Sequence, residues 1–201
     1  AGNAGWKMVD CRVQSSDSAG LAFEARYEQP AGGGEGKVRV QVVAPGDATL
    51  QTIEEDILNT FNHPFLQDID GDGRDELLIP LVTGNVNTSW AIWRAKGDET
   101  QFTRLEELSG IDIDRTEDGF ITTSARSSAS AWEIGYWRMD GDDLEPVVTV
   151  SVSAEGVDAD GNVLNETCTV TDAGGLAETG LTQEQAQAKF CAEEPADGVF
   201  Q

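Results

Sequence analysis

Apolar and polar residues alternate along most of this chain. Leu21-Ala22-Phe23-Glu24-Ala25-Arg26-Tyr27 and Val38-Arg39-Val40-Gln41-Val42-Val43 are two such runs. Successive side chains of a strand point to opposite faces, so a period of two predicts half-buried β-strands. Residues 90–94, 120–123, 132–137 and 147–152 repeat the pattern. Leu77-Leu78-Ile79-Pro80-Leu81-Val82 is apolar throughout, as in a strand covered on both faces. Turn formers separate the runs: Pro45-Gly46-Asp47, Gly97-Asp98, Asp118-Gly119, Asp140-Gly141-Asp142 and Asp160-Gly161-Asn162, with a flexible Gly32-Gly33-Gly34. Near the end the period changes. Residues 183–190 are mostly good helix formers, Thr182 is placed to cap them, and Gln185 completes a capping box. The pattern predicts an all-β fold, a propeller-like or meander arrangement of short antiparallel strands with a short C-terminal helix. One β-rich domain is expected over 1–192, with a flexible tail over 193–201.

An internal repeat bears on the choice of architecture. Trp93-Arg94-x-x-Gly97-Asp98 recurs as Trp137-Arg138-x-x-Gly141-Asp142, a shift of 44 residues. A four-stranded propeller blade has a period of about 40–45 residues. Two hairpins of any meander would give the same coincidence.

The sharpest chemistry precedes the apolar run. Asp68-Ile69-Asp70-Gly71-Asp72-Gly73-Arg74-Asp75-Glu76 has carboxylates at positions 1, 3, 5 and 9 and glycine at position 6. That spacing is the first half of an EF-hand-type calcium loop. Ca²⁺ takes six to eight oxygens at about 2.3–2.6 Å, and alternating acids in a curling loop aim theirs inward. Position 7, Arg74, offers its backbone carbonyl whatever its side chain does. Position 12 is Ile79, inside the apolar run, so the loop feeds a strand and Glu76 is the last side-chain ligand. The expected ligands are Asp68, Asp70, Asp72, Arg74 and Glu76, and the expected cofactor is Ca²⁺. The alternative is an acidic surface turn.

The charge balance narrows the partners. Thirteen basic against 37 acidic residues give a net charge of −24. Nucleic acid needs a cationic surface, and an anionic bilayer repels an acidic one. A basic protein is the partner this charge attracts; solubility in a salty medium would explain it equally. No stretch approaches the 18 apolar residues of a membrane span. The start, Ala1-Gly2-Asn3-Ala4, reads as an exported protein whose signal has been removed. Cys11, Cys168 and Cys191 lack zinc or redox spacing. Cys168 and Cys191 flank a turn-rich segment and the predicted helix, which favours a disulfide and a periplasmic or secreted setting. Three buried thiols are the other possibility.

The loop and its continuation carry a family resemblance. Residues 65–78 resemble the D-x-(N/D)-x-D-G-x-x-D/E-L core of FG-GAP-type calcium blades. Gly84-Asn85-Val86-Asn87-Thr88-Ser89-Trp90-Ala91-Ile92-Trp93, then Phe102, Leu105, Leu108, Gly119-Phe120-Ile121-Thr122-Thr123-Ser124-Ala125-Arg126, Trp132, Tyr136 and Gly141-Asp142-Asp143-Leu144 continue it. The order is similar to that of bacterial periplasmic proteins with a propeller-like fold and one calcium loop. Some of these inhibit lysozymes or act as immunity proteins against wall-degrading type VI effectors. The resemblance spans residues 50–152 and implies calcium, a β-propeller-like fold and the periplasm.

Catalytic constellations are scarce. There is no Gly-x-Ser-x-Gly elbow and no phosphate-binding loop. His63 beside the acidic loop could serve as a base, but a lone histidine there is more often a packing residue. Trp90, Trp93, Trp132 and Trp137 could stack on sugars; on alternating strands they more often fill a core. The polar run Ser124-Ala125-Arg126-Ser127-Ser128-Ala129-Ser130 reads as a small flexible loop between strands. Ser124, Arg126, Ser127 and Ser128 would then meet a partner, with Arg126 at the tip. The reading is a non-enzymatic, exported, calcium-stabilised protein-binding module, with an inhibitor or immunity protein against a basic cell-wall hydrolase as its expected role. A structural or adhesive calcium module comes second, and a carbohydrate-active enzyme third.

Overall fold

The computed structural model describes residues 8–158, 163–197 and 199–200. The turn expected at Asp160-Gly161-Asn162 lies outside them. Where the sequence pointed to one domain over 1–192, the chain divides into two compact units, Ala1–Leu108 and Ser109–Gln201. Each is described by itself.

Hydrophobic alternation builds the first unit. Strands β1 (Cys11–Gln14), β2 (Ala22–Glu28), β3 (Glu35–Val43) and β4 (Thr49–Leu58) form an antiparallel meander. Then come β5 (Phe65–Gln67), β6 (Glu76–Thr83), β7 (Thr88–Arg94) and β8 (Thr103–Gly110). The sheet runs β1-β2-β3-β4-β6-β7-β8, with β5 paired to β6. Its halves join by a parallel contact of β4 and β6 at Leu58 and Val82. Val38, Val40 and Val42 point to one face and are fully buried, alongside Phe23, Ala25 and Tyr27 of β2. β6 is buried from Glu76 to Leu81, as its unbroken apolar run requires. Proline has no N–H for a ladder, and Pro80 sits where the β6–β7 register shifts.

The second unit is a smaller antiparallel sheet under a helix. Strands β9 (Asp112–Arg115), β10 (Ile121–Ser128), β11 (Ala131–Asp140) and β12 (Asp143–Ser153) are followed by the short pair β13 (Gly156–Val157) and β14 (Val163–Leu164), then β15 (Thr167–Asp172). The main order is β15-β12-β11-β10-β9. Helix α1 (Gln183–Phe190) starts at the expected capping box: Thr182 Oγ1 accepts the Gln185 N–H, and Gln185 Oε1 accepts the Thr182 N–H. It lays Ala186 and Phe190 into a core with Ile134, Tyr136 and Val150. The Tyr136 hydroxyl donates to the Phe190 carbonyl at 3.0 Å, and their rings lie 4.6 Å apart. Cys168 on β15 is bonded to Cys191 at the end of α1, and Cys11 is free.

One expectation needs correction, and another gains detail. Residues 193–197, 199 and 200 are not a loose tail: they carry α2 (Glu194–Asp197), Ala196 is buried, and Val199 and Phe200 pack against the second core. The reason is apolar spacing at 196, 199 and 200, which a reading by acidity overlooks. The described sheets have eight, five and two strands, so no four-stranded blade is among them. The two copies of the repeat mark the turns after β7 and β11, one per unit. The architecture is all-β, in meanders.

Candidate metal centre

The acidic loop is the crossing of a hairpin. β5 pairs antiparallel with β6, with Gln67 opposite Glu76, so 68–75 must turn within eight residues. Backbone N–H groups curl onto the acids. Asp68 accepts from Gly71 at 2.6 Å and Gly73 at 3.0 Å; Asp70 accepts from Asp72 at 3.0 Å; Asp72 accepts from Arg74 at 2.8 Å. Such local bonds hold aspartates in a fixed turn. Gly73 has φ 87°, a left-handed backbone that disfavours any side chain.

Asp68, Asp70 and Glu76 each bring a carboxylate oxygen within 4.8 Å of the others. Oxygens that share one Ca²⁺ at 2.3–2.6 Å lie within about 5 Å of one another, so the trio fits a single ion. Asp72 is not one of the trio. Its Oδ1 takes the Arg74 N–H, and its Oδ2 lies 3.0 Å from Arg94 Nη2. The Arg74 side chain leaves the loop altogether. Its Nε donates to Asp17 Oδ2 at 3.0 Å and its other nitrogens to the Gly97 and Glu99 carbonyls. Only its carbonyl remains for an ion.

Glu76 is the deepest member, with its side chain 1 % exposed. Its Oε2 accepts the Ile69 N–H at 3.0 Å, whereas Oε1, like Asp70 Oδ2, accepts no hydrogen bond. Burial, and then the neighbouring Asp70 charge, push the Glu76 carboxyl up to about 8. Burial also raises Asp70. Buried carboxylate oxygens without donors are unfavourable unless a cation meets them. Among the described residues, the cation paired with these acids is Arg94, at the end of β7. Its Nη2 is 2.5 Å from Asp70 Oδ2 without hydrogen-bond alignment, and its Nε is 3.8 Å from Glu76 Oε1.

A second layer holds the loop from a distance in sequence. Asp75 accepts from the Ser16 backbone at 2.8 Å and the Ser16 hydroxyl at 3.0 Å. Asp17 accepts the Asp75 N–H at 3.1 Å. Burial works to raise the Asp17 carboxyl, but donors from Ser15, Asp75, Arg74 and Ala19 outweigh it and hold it at about 2. Asp17, Asp75 and Arg94 were not legible as site residues. Asp17 lies 51 positions before the loop and Arg94 lies on a later strand, so the loop's own motif contains neither.

The other candidates fall elsewhere. Ser124, Arg126, Ser127 and Ser128 belong to β10, and only Ala129 and Ser130 turn between β10 and β11. The expected flexible loop is therefore a paired strand. The cause is the Ser/Thr-rich sequence, which hides a strand whose polar residues face outward at its end. Arg126 does not protrude: it donates to the Ser128 and Ala129 carbonyls and stacks 5.6 Å over Trp132. Ser124 lies opposite Asp112. Both line a cleft of about 660 Å³ in the second unit with Asp114, Asp118, Lys189 and Glu193. His63 meets the Tyr27 ring edge-on, its Nδ1 3.4 Å from the hydroxyl. Trp90 is buried, and Trp93 and Trp132 pack against the first and second cores respectively.

The sequence matches no protein family and no curated protein. Among solved structures, the chain is similar to one described as the structure of a Xanthomonas type IV secretion system related protein. The TM-score is 0.51 at 11 % identity, over 79 % of this chain and 87 % of that one. At this identity the likeness is one of fold.

Proposed function

We propose that this protein is an exported, calcium-stabilised module that binds another protein and performs no catalysis. The observation that carries the calcium reading is Glu76: a buried carboxylate with one oxygen free of hydrogen bonds, grouped with Asp68 and Asp70. When bound, Ca²⁺ would neutralise these acids and cross-link the β5–β6 turn. Asp68, Asp70 and Glu76 hold it, with the Arg74 carbonyl and Asp72 completing the set. The disulfide supports an oxidising compartment. No helix among the described residues is long and apolar enough to cross a membrane. A fold shared with a secretion-system-related protein fits export as well.

Charge supports the choice of partner. At −24 the protein attracts basic proteins and associates with them quickly. Basic cell-wall hydrolases are such proteins, and inhibiting one is the role the calcium-loop resemblance implies. The β10–β11 hairpin end is the contact we propose, with exposed Ser127 and Ser128 beside the Arg126–Trp132 stack. The test is a panel of lysozyme-type, chitinase-like and amidase hydrolases assayed with excess protein, with and without chelator. Inhibition or low-salt binding of one supports the reading. With none inhibited and none bound, a structural calcium module takes its place.

One observation favours an enzyme instead. The 660 Å³ cleft is lined by acids, and burial followed by the Asp114 charge raises Asp112. Glycoside hydrolysis uses a pair of carboxyl groups, one of them a raised acid. Wall-polysaccharide cleavage by the protein alone, lost in Asp112→Asn, would establish that reading.

A further inference from the structure

We infer that Arg94 is an internal cation that competes with the metal for the acidic cradle, setting calcium affinity and supporting the fold when the ion is absent. The inference rests on the calcium reading above and adds a residue outside the loop motif.

Among the described residues, Arg94 has these acids as its partners. It ends β7, one residue beyond Trp93, which pairs with Leu77; Glu76, one residue before Leu77, opens β6. The strand pairing thus delivers the guanidinium to the loop. The side chain is 10 % exposed, and among the described residues its three ion pairs are with the acids of this loop and strand: Asp70, Asp72 and Glu76. Only the Asp72 contact is an aligned hydrogen bond. Nε and Nη1 are buried and donate to nothing. A guanidinium that served only as a structural clamp would use its fork on a carboxylate, because the bidentate arrangement is the strong one. Here the charge is inserted and the donors are left idle.

The acids show the complementary pattern. Asp70 Oδ2 and Glu76 Oε1 are buried and take no hydrogen bond, and they lie 2.5 Å from Arg94 Nη2 and 3.8 Å from its Nε respectively. Any ion bonded to Asp70 Oδ2 shares that oxygen with Nη2. Arginine stays charged at every working pH, so it leaves only by moving, never by losing a proton. Without metal it offsets part of the mutual repulsion of three carboxylates. With metal it is a like charge beside a divalent ion, and it weakens binding.

The experiment titrates metal-free wild type and Arg94→Gln with Ca²⁺ against a chromophoric chelator, and melts both proteins with and without Ca²⁺. Arg94→Gln is expected to bind Ca²⁺ on the order of tenfold tighter or more, because a nearby positive charge is gone. Its metal-free melting temperature should fall by about 10 °C, with saturating Ca²⁺ restoring it. Should the metal-free variant not fold, it is prepared in Ca²⁺, and Arg94→Lys, which keeps the charge, is expected to lie between wild type and Arg94→Gln in affinity. If wild type binds and Arg94→Gln binds no tighter, the inference is overturned and the calcium site stands. If only Arg94→Gln binds, arginine has replaced the ion in the natural protein: the calcium reading fails and the competition is upheld. If neither binds, both are overturned.

Discussion

Among the described residues of the first unit, Arg74 and Asp17 form the most buried ion pair that joins two distant segments. Arg74 Nε donates to Asp17 Oδ2 at 3.0 Å, and the side chains are 5 % and 4 % exposed. The pair ties the acidic loop to the turn between β1 and β2. Removing one partner of such a pair strands the other, which costs about 3–5 kcal/mol. Asp17→Ala is expected to lower the stability of the first unit by that amount, measured by urea denaturation. A loss below about 1 kcal/mol would place the pair with ordinary surface bridges.

The second unit has a staple whose effect is measurable separately. Cys168 and Cys191 close a loop of 23 residues. On the chain-entropy account such a crosslink contributes about 3 kcal/mol. The Cys168→Ser, Cys191→Ser double variant should lose stability of that order. Peptide mapping without reductant should recover the 168–191 crosslink and an alkylated Cys11. A crosslink containing Cys11 would contradict the pairing.

Lys189 links α1 to the turn after β9. Its ammonium lies 2.5 Å from Asp118 and 2.6 Å from Glu193. Burial acts to raise the Asp118 carboxyl, yet bonds from Lys189 and Thr116 hold it below the usual carboxylate range. A depressed carboxylate adds stability above its unfolded pKa, about 3.9, and that stability is lost as pH falls through the lower folded value. Carbon-detected titration of Asp118 should show a midpoint below that of exposed aspartates. Lys189→Ala should move it upward. An unchanged midpoint would leave Thr116 and the Asp118 backbone N–H as the bonds that lower it.

Much of the fold was readable because burial and period agree. The runs at 21–27, 38–43 and 147–152 fall in β2, β3 and β12, and the capping box at Thr182 opens α1. β4 was not readable. Its core residues Ile53 and Ile57 are separated by Glu55, which points inward where an apolar residue would complete the alternation. Glu55 is tolerated there because Trp93 Nε1 and Arg104 Nε both donate to it at 2.8 Å. The partners come from β7 and β8, so the exception is invisible within β4. The acidic loop was legible for a similar reason in reverse: its carboxylates lie within nine consecutive residues, whereas Asp17 and Arg94 reach it only through folding.

That exception makes a prediction of its own. Glu55→Ala leaves the Trp93 indole and the Arg104 guanidinium without their acceptor. Each unsatisfied donor costs about 1–3 kcal/mol when buried, less where water reaches it. Arg104 is a third exposed, so the Trp93 share should dominate. A loss of about 1–3 kcal/mol is expected, with a change in near-ultraviolet circular dichroism from the tryptophan. No spectral change would mean that the indole finds another partner.

The central claim is that Asp68, Asp70 and Glu76 are a calcium site. Isothermal titration of chelator-treated protein with Ca²⁺, paired with its melting curve, tests it most directly. One ion per chain is expected, absent in Glu76→Gln and Asp70→Ala. At a free concentration of 100 Kd the ion should add about 2.7 kcal/mol of stability. A metal-free protein that takes up no Ca²⁺, and whose melting curve Ca²⁺ leaves unmoved, would contradict the claim.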